Sequence, residues 1–304
     1  MTQIRDLARD LRPMSRPARL LYGGAAFWLV AGLFHIGALA MDGWQWSGSI
    51  SFRKPIVFSV SIGLLLGSVG WVIDRLPERP RLEGALAWTL LASATLEVGL
   101  IALQTWRGRA SHFNVFEGGD ALIFAVMGVM IGLVSLCLVV VLVWSLIERP
   151  ADPLVRFAVI GGLLLVMTGL GIGQWIIELG NEFVARNGTV PETVTYGESG
   201  AAKFPHAVAF HGIQVFIVAA VALQRVRLPS ASRRRLMRTV FWAYAAGLVF
   251  ASVQTVLGQG PLQPSVWSLG LVVSLLTLAV VFARVARALA GASHLDREPA
   301  LTVG

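Results

Sequence analysis

The sequence predicts an all-α fold: a polytopic transmembrane bundle of about eight membrane-spanning helices with both termini cytoplasmic. Three observations carry that expectation. The 304-residue chain is 56% hydrophobic and only 14% charged, too apolar for a domain that faces water on every side. Eight apolar runs, near residues 20–41, 55–74, 84–105, 120–147, 155–179, 205–223, 238–258 and 265–288, match the roughly 20 residues that a helix needs to cross a bilayer. The connections between them sort the basic residues. Taking alternate connections together gathers 19 of the 25 Lys and Arg on one side and leaves Arg53, Lys54, Arg107, Arg109, Arg186 and Lys203 on the other. The positive-inside rule then makes the 19-residue side, with both chain ends, cytoplasmic.

The elements follow in order. Residues 1–19 read as a basic segment able to lie as an amphipathic helix on the membrane surface. The first apolar run is long and lacks a small-residue cleavage site, so it is expected to stay as a helix. Residues 20–288 form one transmembrane domain, and 289–304 a cytoplasmic tail. The longest connection, Gly180 to Phe204, is too short to fold alone. A net charge of +8 brings nucleic acid to mind, but the cations are dispersed over short connections, which fits orientation in a bilayer and not nucleic-acid binding. The single cysteine, Cys137, lies in an apolar run, which excludes an intramolecular disulfide and a cysteine-cluster metal site. There is no Walker loop, no strand-led G-x-G-x-x-G, no G-x-S-x-G and no H-E-x-x-H.

Polar residues within the runs fall on the side opposite the termini: His35, Glu97, Gln104, Asp120, Gln174, Glu178, His206, His211, Gln214 and Gln254. Burying an ionisable group in a bilayer costs roughly 2.5–3.5 kcal/mol on insertion scales, so such groups face the bundle interior or a wet cavity. A one-sided set predicts a cavity open to the extracytoplasmic face. Glu97, on the apolar stretch "LLASATLEVGLIALQ", must stay protonated or find a cation, and Gln104 follows on the same face at i+7. Asp120 is expected to cap the fourth helix through its first amides. His35 reads equally as a packing residue or a ligand. His206 and His211, five apart, point about 140° apart around their helix. One of them could pair with His112 or His35 from another element, the arrangement that haem or a transition metal requires. The stretch "QTWRGRASHFNVFEGGD" (104–120) and the start of the sixth helix, "GAAKFPHAVAFHGIQ" (200–214), are therefore expected to form one site. In it Glu97 and His112 would move protons, while Lys54, Gln104, Arg107, Asn114, Lys203 and Gln214 would bind a small anionic or lipophilic ligand. His35, His206 and His211 are the candidate metal ligands.

"KPIVFSVS", "QTWRGRASHFN" and "GAAKFPHAVAFHGIQ" together resemble a family of uncharacterised bacterial multi-pass membrane proteins with K-P-x-K-F-x-x-S, Q-x-x-R-G-x-x-S-H-F-N and H-F-x-G-L-H-x-L-Q-like motifs. On that resemblance Lys54, Ser61, Gln104, Arg107, Gly108, Ser111, His112, Asn114, His206, His211 and Gln214 carry the pattern; Val57, Ala201 and Lys203 depart from it. The resemblance implies the bacterial cytoplasmic (inner) membrane and a position for the site, and brings no activity with it. The leading expectation is a membrane-embedded enzyme or a haem- or metal-dependent redox protein. The alternatives are a proton-coupled transporter or channel, and a non-catalytic membrane or sensor component. An inverted repeat and a polar path through the cytoplasmic half, which transport would favour, are not evident, and neither is the C-x-x-C-H of covalently attached haem.

Overall fold

The computed structural model describes residues 14–295. Eight helices account for most of them: α1 Arg16–Met41, α2 Arg53–Ile73, α3 Pro80–Trp106, α4 Gly118–Ile147, α5 Pro153–Asn187, α6 Lys203–Arg225, α7 Ser230–Val256 and α8 Val266–Leu295. All eight are long and apolar enough to cross a membrane. The expected surface segment lies mostly outside the described residues, and α8 continues into the stretch expected to be tail. Ser15 caps α1 by accepting from the Ala18 amide at 3.2 Å, and the Met14 and Ser15 amides donate to the Asp74 carboxylate, fixing the start of α1 to the end of α2.

Helix α5 differs most from expectation. At 1.5 Å per residue its 35 residues span about 52 Å, against a hydrocarbon core of about 30 Å. The last two turns therefore project beyond the apolar layer, with the Glu182–Arg186 pair at 2.9 Å supporting an exposed helical surface. Gly188 ends it with φ +65° and its N–H on the Val184 carbonyl, a conformation that costs a side-chain-bearing residue. Length alone does not reveal such an overhang, because a polar segment of helix formers scores as a loop.

The contacts fix every helix direction. Gly24 meets Leu66 and Gly70 meets Ala18 across α1 and α2, so these run antiparallel. Gln104–Asp120 and Arg79–Glu148 make α3 and α4 antiparallel, while Trp28–Thr95 and His35–Trp106 make α1 and α3 parallel. In the second half Gly162 meets Ile213, Gly169 meets Phe210, Tyr244 meets Val208 and Gly270 meets Phe250, giving the same alternation for α5 to α8. Both ends of the described chain consequently lie at one end of the bundle, here called proximal. The connections 42–52, 107–117, 188–202 and 257–265 lie at the distal end.

The two halves, α1–α4 and α5–α8, repeat each other. The tightest pairs are α1 with α2 and α5 with α6, and each half adds the same second-to-third, first-to-third and third-to-fourth contacts. Arg53 and Lys203, the first residues of α2 and α6, are 150 positions apart, as are Pro55 and Pro205. So are Gln104-Thr105 and Gln254-Thr255, each followed by a glycine, Gly108 (φ +64°) and Gly258 (φ +72°). The two helix ends share their hydrogen bonds: Arg109 N and Gln259 N donate to Gln104 O and Gln254 O at 2.9 and 3.0 Å. With four helices per half the repeats have the same orientation, the parallel arrangement and not the inverted one. The halves meet where α2 runs beside α6, the two most enclosed helices, and along α4 and α5.

Close approach within each tight pair depends on glycine. A Cβ at Gly169 would stand 3.0 Å from the Phe210 amide nitrogen, whereas one at Gly171 meets nothing within 4 Å. Gly169→Val should therefore push α6 off α5 and destabilise the protein by about 1–3 kcal/mol, with Gly171→Val close to neutral. Thermal melting in detergent measures both, and equal melting temperatures would show that this contact is not tight.

Candidate functional site

The stretch from Gln104 to Asp120 is organised by one buried carboxylate. Asp120 Oδ1 accepts from Gln104 Nε2 at 2.9 Å and from the Arg107 guanidinium at 3.2 Å, and Oδ2 accepts from Asn114 Nδ2 at 2.9 Å. Arg107 also donates to Gln104 Oε1 at 2.6 Å. Gln104, Asn114 and Asp120 are buried, so this closed set satisfies the polar groups of the turn inside the protein. Asp120 does not cap α4 through its amides as expected; the carboxylate is the hub of the 107–117 connection. Gln104, Arg107 and Asn114, expected to bind ligand, are the spokes. Gln254, the repeat counterpart of Gln104, does equivalent work in the second half: its Nε2 donates to Gly260 O at 2.7 Å and holds the 257–265 turn.

The knot delivers two aromatic side chains across the distal end. Phe113, at φ +63°, seats its ring against Gly180 of α5, where a Cβ would collide with it. His112 lies over Phe58 of α2 and Phe124 of α4, at centroid distances of 5.6 and 6.0 Å, and its Nδ1 is 3.0 Å from Ser111 Oγ. Burial, together with the nearby charges of Lys54 and Lys203, pushes the imidazole down to about 3, so it is neutral over the physiological range. The connection and the start of α6 are thus neighbours, with His112 and Lys203 within electrostatic range of each other, while Arg107 is turned to Asp120.

Two cations, Lys54 and Lys203, lie within electrostatic range of His112. Lys54 lies within electrostatic range of Lys203 and Arg53, and Lys203 of Arg53. None of the three forms an ion pair among the described residues, and the Arg53 Nε is buried without a partner. Helices α2 and α6 both start here with no acid in the first turn; their first amides are taken up locally, Arg53 N by Ser51 Oγ at 3.1 Å, Lys54 and Ile56 N by the Ser51 and Phe52 carbonyls, and Phe204 and His206 N by the Ala201 and Ala202 carbonyls. The positive helix ends add to the like charges.

Below the cations the α2–α6 seam is polar. Ser61 Oγ lies 3.3 Å from His211 Nε2, and Gln214 Nε2 donates to Ser68 Oγ at 2.9 Å, leaving the Gln214 Oε1 buried and unpaired. On an ideal helix these levels are about 12 Å and about 22 Å below Arg53. Trp71 follows on the same face with an indole N–H that also lacks a partner, and the Arg75 guanidinium sits 4.0 Å from its ring centroid. The polar line thus continues into the proximal half, where the sequence shows only serines and an apolar run.

The remaining candidates lie apart from this seam. His35 is engaged at both nitrogens: Nδ1 donates to Ala31 O at 2.8 Å, so Nε2 must accept, and the Trp106 indole lies 3.4 Å from it. That geometry links α1 to α3. His206 donates from Nδ1 to Gly169 O at 2.7 Å and stacks on Phe210. Glu97 is buried with its Oε2 unpaired, at the level of Met127 in the register set by Gln104 and Asp120. Among the described residues no three His, Cys, Asp or Glu side chains form a group able to hold a metal ion, so His35, His206 and His211 do not make a shared ligand set. Asp120 as hub, Arg53 and Ser68 escaped the sequence reading. The 150-residue repeat was the signal that would have found the axis on which two of them lie.

No protein-family model matches the chain, and comparison with curated proteins and with solved structures gives no match.

His112 supplies a pH test. Its folded value of about 3 lies below the ordinary 6.5, so between those limits the unfolded chain binds a proton that the folded one refuses, and stability falls as pH falls through that window. His112→Gln should show a shallower loss of melting temperature from about pH 6.5 to about pH 3 than the parent. Parallel curves would mean that the imidazole is hydrated and protonates freely.

Proposed function

We propose that the chain is a proton-coupled transporter of a small anion in the bacterial cytoplasmic membrane, with both termini cytoplasmic and the distal mouth between α2 and α6 open to the outside. The observation that carries this reading is the gathering of Arg53, Lys54 and Lys203, within electrostatic range of one another, at two helix starts without an ion-pairing carboxylate among the described residues. Like charges at positive helix ends repel, and a bound anion that accepts from the ammonium groups and the guanidinium removes that cost. Two features support movement of the anion over a fixed receptor site. The halves form a parallel repeat, an architecture that allows one half to rock against the other around a shared site. The seam below the cations also stays polar through Ser61–His211 and Ser68–Gln214. Glu97, buried and unpaired, is assigned the proton-carrying role.

An enzyme or a haem or metal redox centre draws less support, because the histidines are turned to four different partners. Kinship with the bacterial family that the three motifs resemble belongs to this proposal. Its motif residues divide between the Asp120 knot and the α2–α6 seam.

Proteoliposomes on a solid-supported membrane should give transient currents on concentration jumps of at least one of phosphate, sulfate, acetate or succinate, and Lys54→Gln or Lys203→Gln should weaken the apparent affinity about tenfold or more. Saturable binding without current would sink transport in favour of a receptor or enzyme; wild-type affinity in both variants would sink the site. The orientation is checked separately. In a Cys137→Ser background, a cysteine at Thr193 should react with an impermeant maleimide added to intact cells and one at Arg235 should not, and the reverse labelling would invert the bundle.

A further inference from the structure

A second groove lies between α7 and α8 at the proximal end, remote from the seam, and encloses about 440 Å³. Its head is basic. Arg235 and Arg238, three apart and on one face of α7, are exposed and form no ion pair among the described residues. Trp242 follows one turn on, 68% exposed, where an amphipathic ring marks the boundary of the apolar layer. Below it the floor is the small Ala246 and then Phe250. The opposite wall on α8 carries Ser274 and Thr277, but both hydroxyls donate to their own helix, to Gly270 O at 2.9 Å and Val273 O at 2.8 Å, so an apolar surface faces the groove. Helix α8 is the least enclosed of the eight, and no protein element among the described residues covers this side. From Arg238 to Phe250 the groove runs about 18 Å, close to the roughly 15 Å of one leaflet's hydrocarbon.

We propose that this groove holds an anionic phospholipid of the adjacent leaflet, its phosphate on Arg235 and Arg238 and one acyl chain laid over Ala246 toward Phe250. Charge at the head, an apolar trough one leaflet deep and an aromatic at the boundary select a lipid over a soluble anion, for which the trough has no use, and over a zwitterionic lipid, whose ammonium the two arginines repel. The assignment does not rest on the transport reading.

The test uses the full-length protein in a non-ionic detergent, with the melting temperature read after adding phosphatidylglycerol, phosphatidylcholine or inorganic phosphate. Phosphatidylglycerol should raise it well above the other two. Arg235→Gln/Arg238→Gln should cut that rise by about half or more while leaving the melting temperature without added lipid unchanged, because both side chains are exposed. Ala246→Phe, which fills the trough and keeps the charges, should cut it as well. Equal shifts with phosphatidylcholine, a full shift with inorganic phosphate, or an undiminished phosphatidylglycerol shift in the arginine variant would each overturn the assignment.

Discussion

Because Ser61 and His211 occupy equivalent positions in the two halves, their 3.3 Å contact fixes where the halves meet. Two copies related by a rotation bring a residue against its own counterpart only on the rotation axis. Arg53 and Lys203, also counterparts, lie within electrostatic range of each other at the end of the same line. The parallel packing of α2 on α6 is therefore the pseudo-twofold axis of the molecule. The Ser61–His211 and Ser68–Gln214 pairs descend from the distal mouth along it, and the larger apolar cluster spans it, joining α1–α4 to α5 and α6.

Divergence between the halves shows what has been built onto that frame. The glutamine–threonine–glycine helix end is shared by α3 and α7, with matching carbonyl contacts. In the second half it closes a short turn through backbone carbonyls. In the first half the glutamine reaches instead for a carboxylate, and the longer connection carries Arg107, His112, Phe113 and Asn114. One frame thus supports a plain turn in one copy and an aromatic-bearing arm in the other. Polar knots at membrane depth are tolerated when every member is paired, which the Asp120 set achieves.

The spans, their number and their alternation were legible in the chain, since burial in lipid leaves a signal of about 20 apolar residues that tertiary context seldom overrides. The neighbourhood of His112 and Lys203 could also be argued from two cationic segments at one end. The roles of Gln104, Arg107 and Asn114 could not. Spacing tells which residues share a face, but not whether a carboxylate such as Asp120 turns to the amides of its own helix or to side chains of another. The repeat stayed hidden because hydrophobic positions carry little identity, and only the shared Gln, Thr and Gly of Gln104–Gly108 and Gln254–Gly258, with Pro55 and Pro205, keep a visible pattern. The continuation of the polar seam was missed for a related reason: Ser68 on α2 and Gln214 on α6 acquire meaning only once those helices are known to touch.

The ring of Phe113 rests on Gly180, beyond the point where α5 is expected to leave the apolar layer, so an arm of the first half is latched to a post that belongs to the second. Its 7% exposure means that spreading the halves at the distal end draws an aromatic face into water, at a cost of about 2 kcal/mol. In the transport cycle proposed above the latch acts as a detent: it sets a threshold below which thermal agitation leaves the distal ends together, and small enough for the binding of one charged guest to exceed.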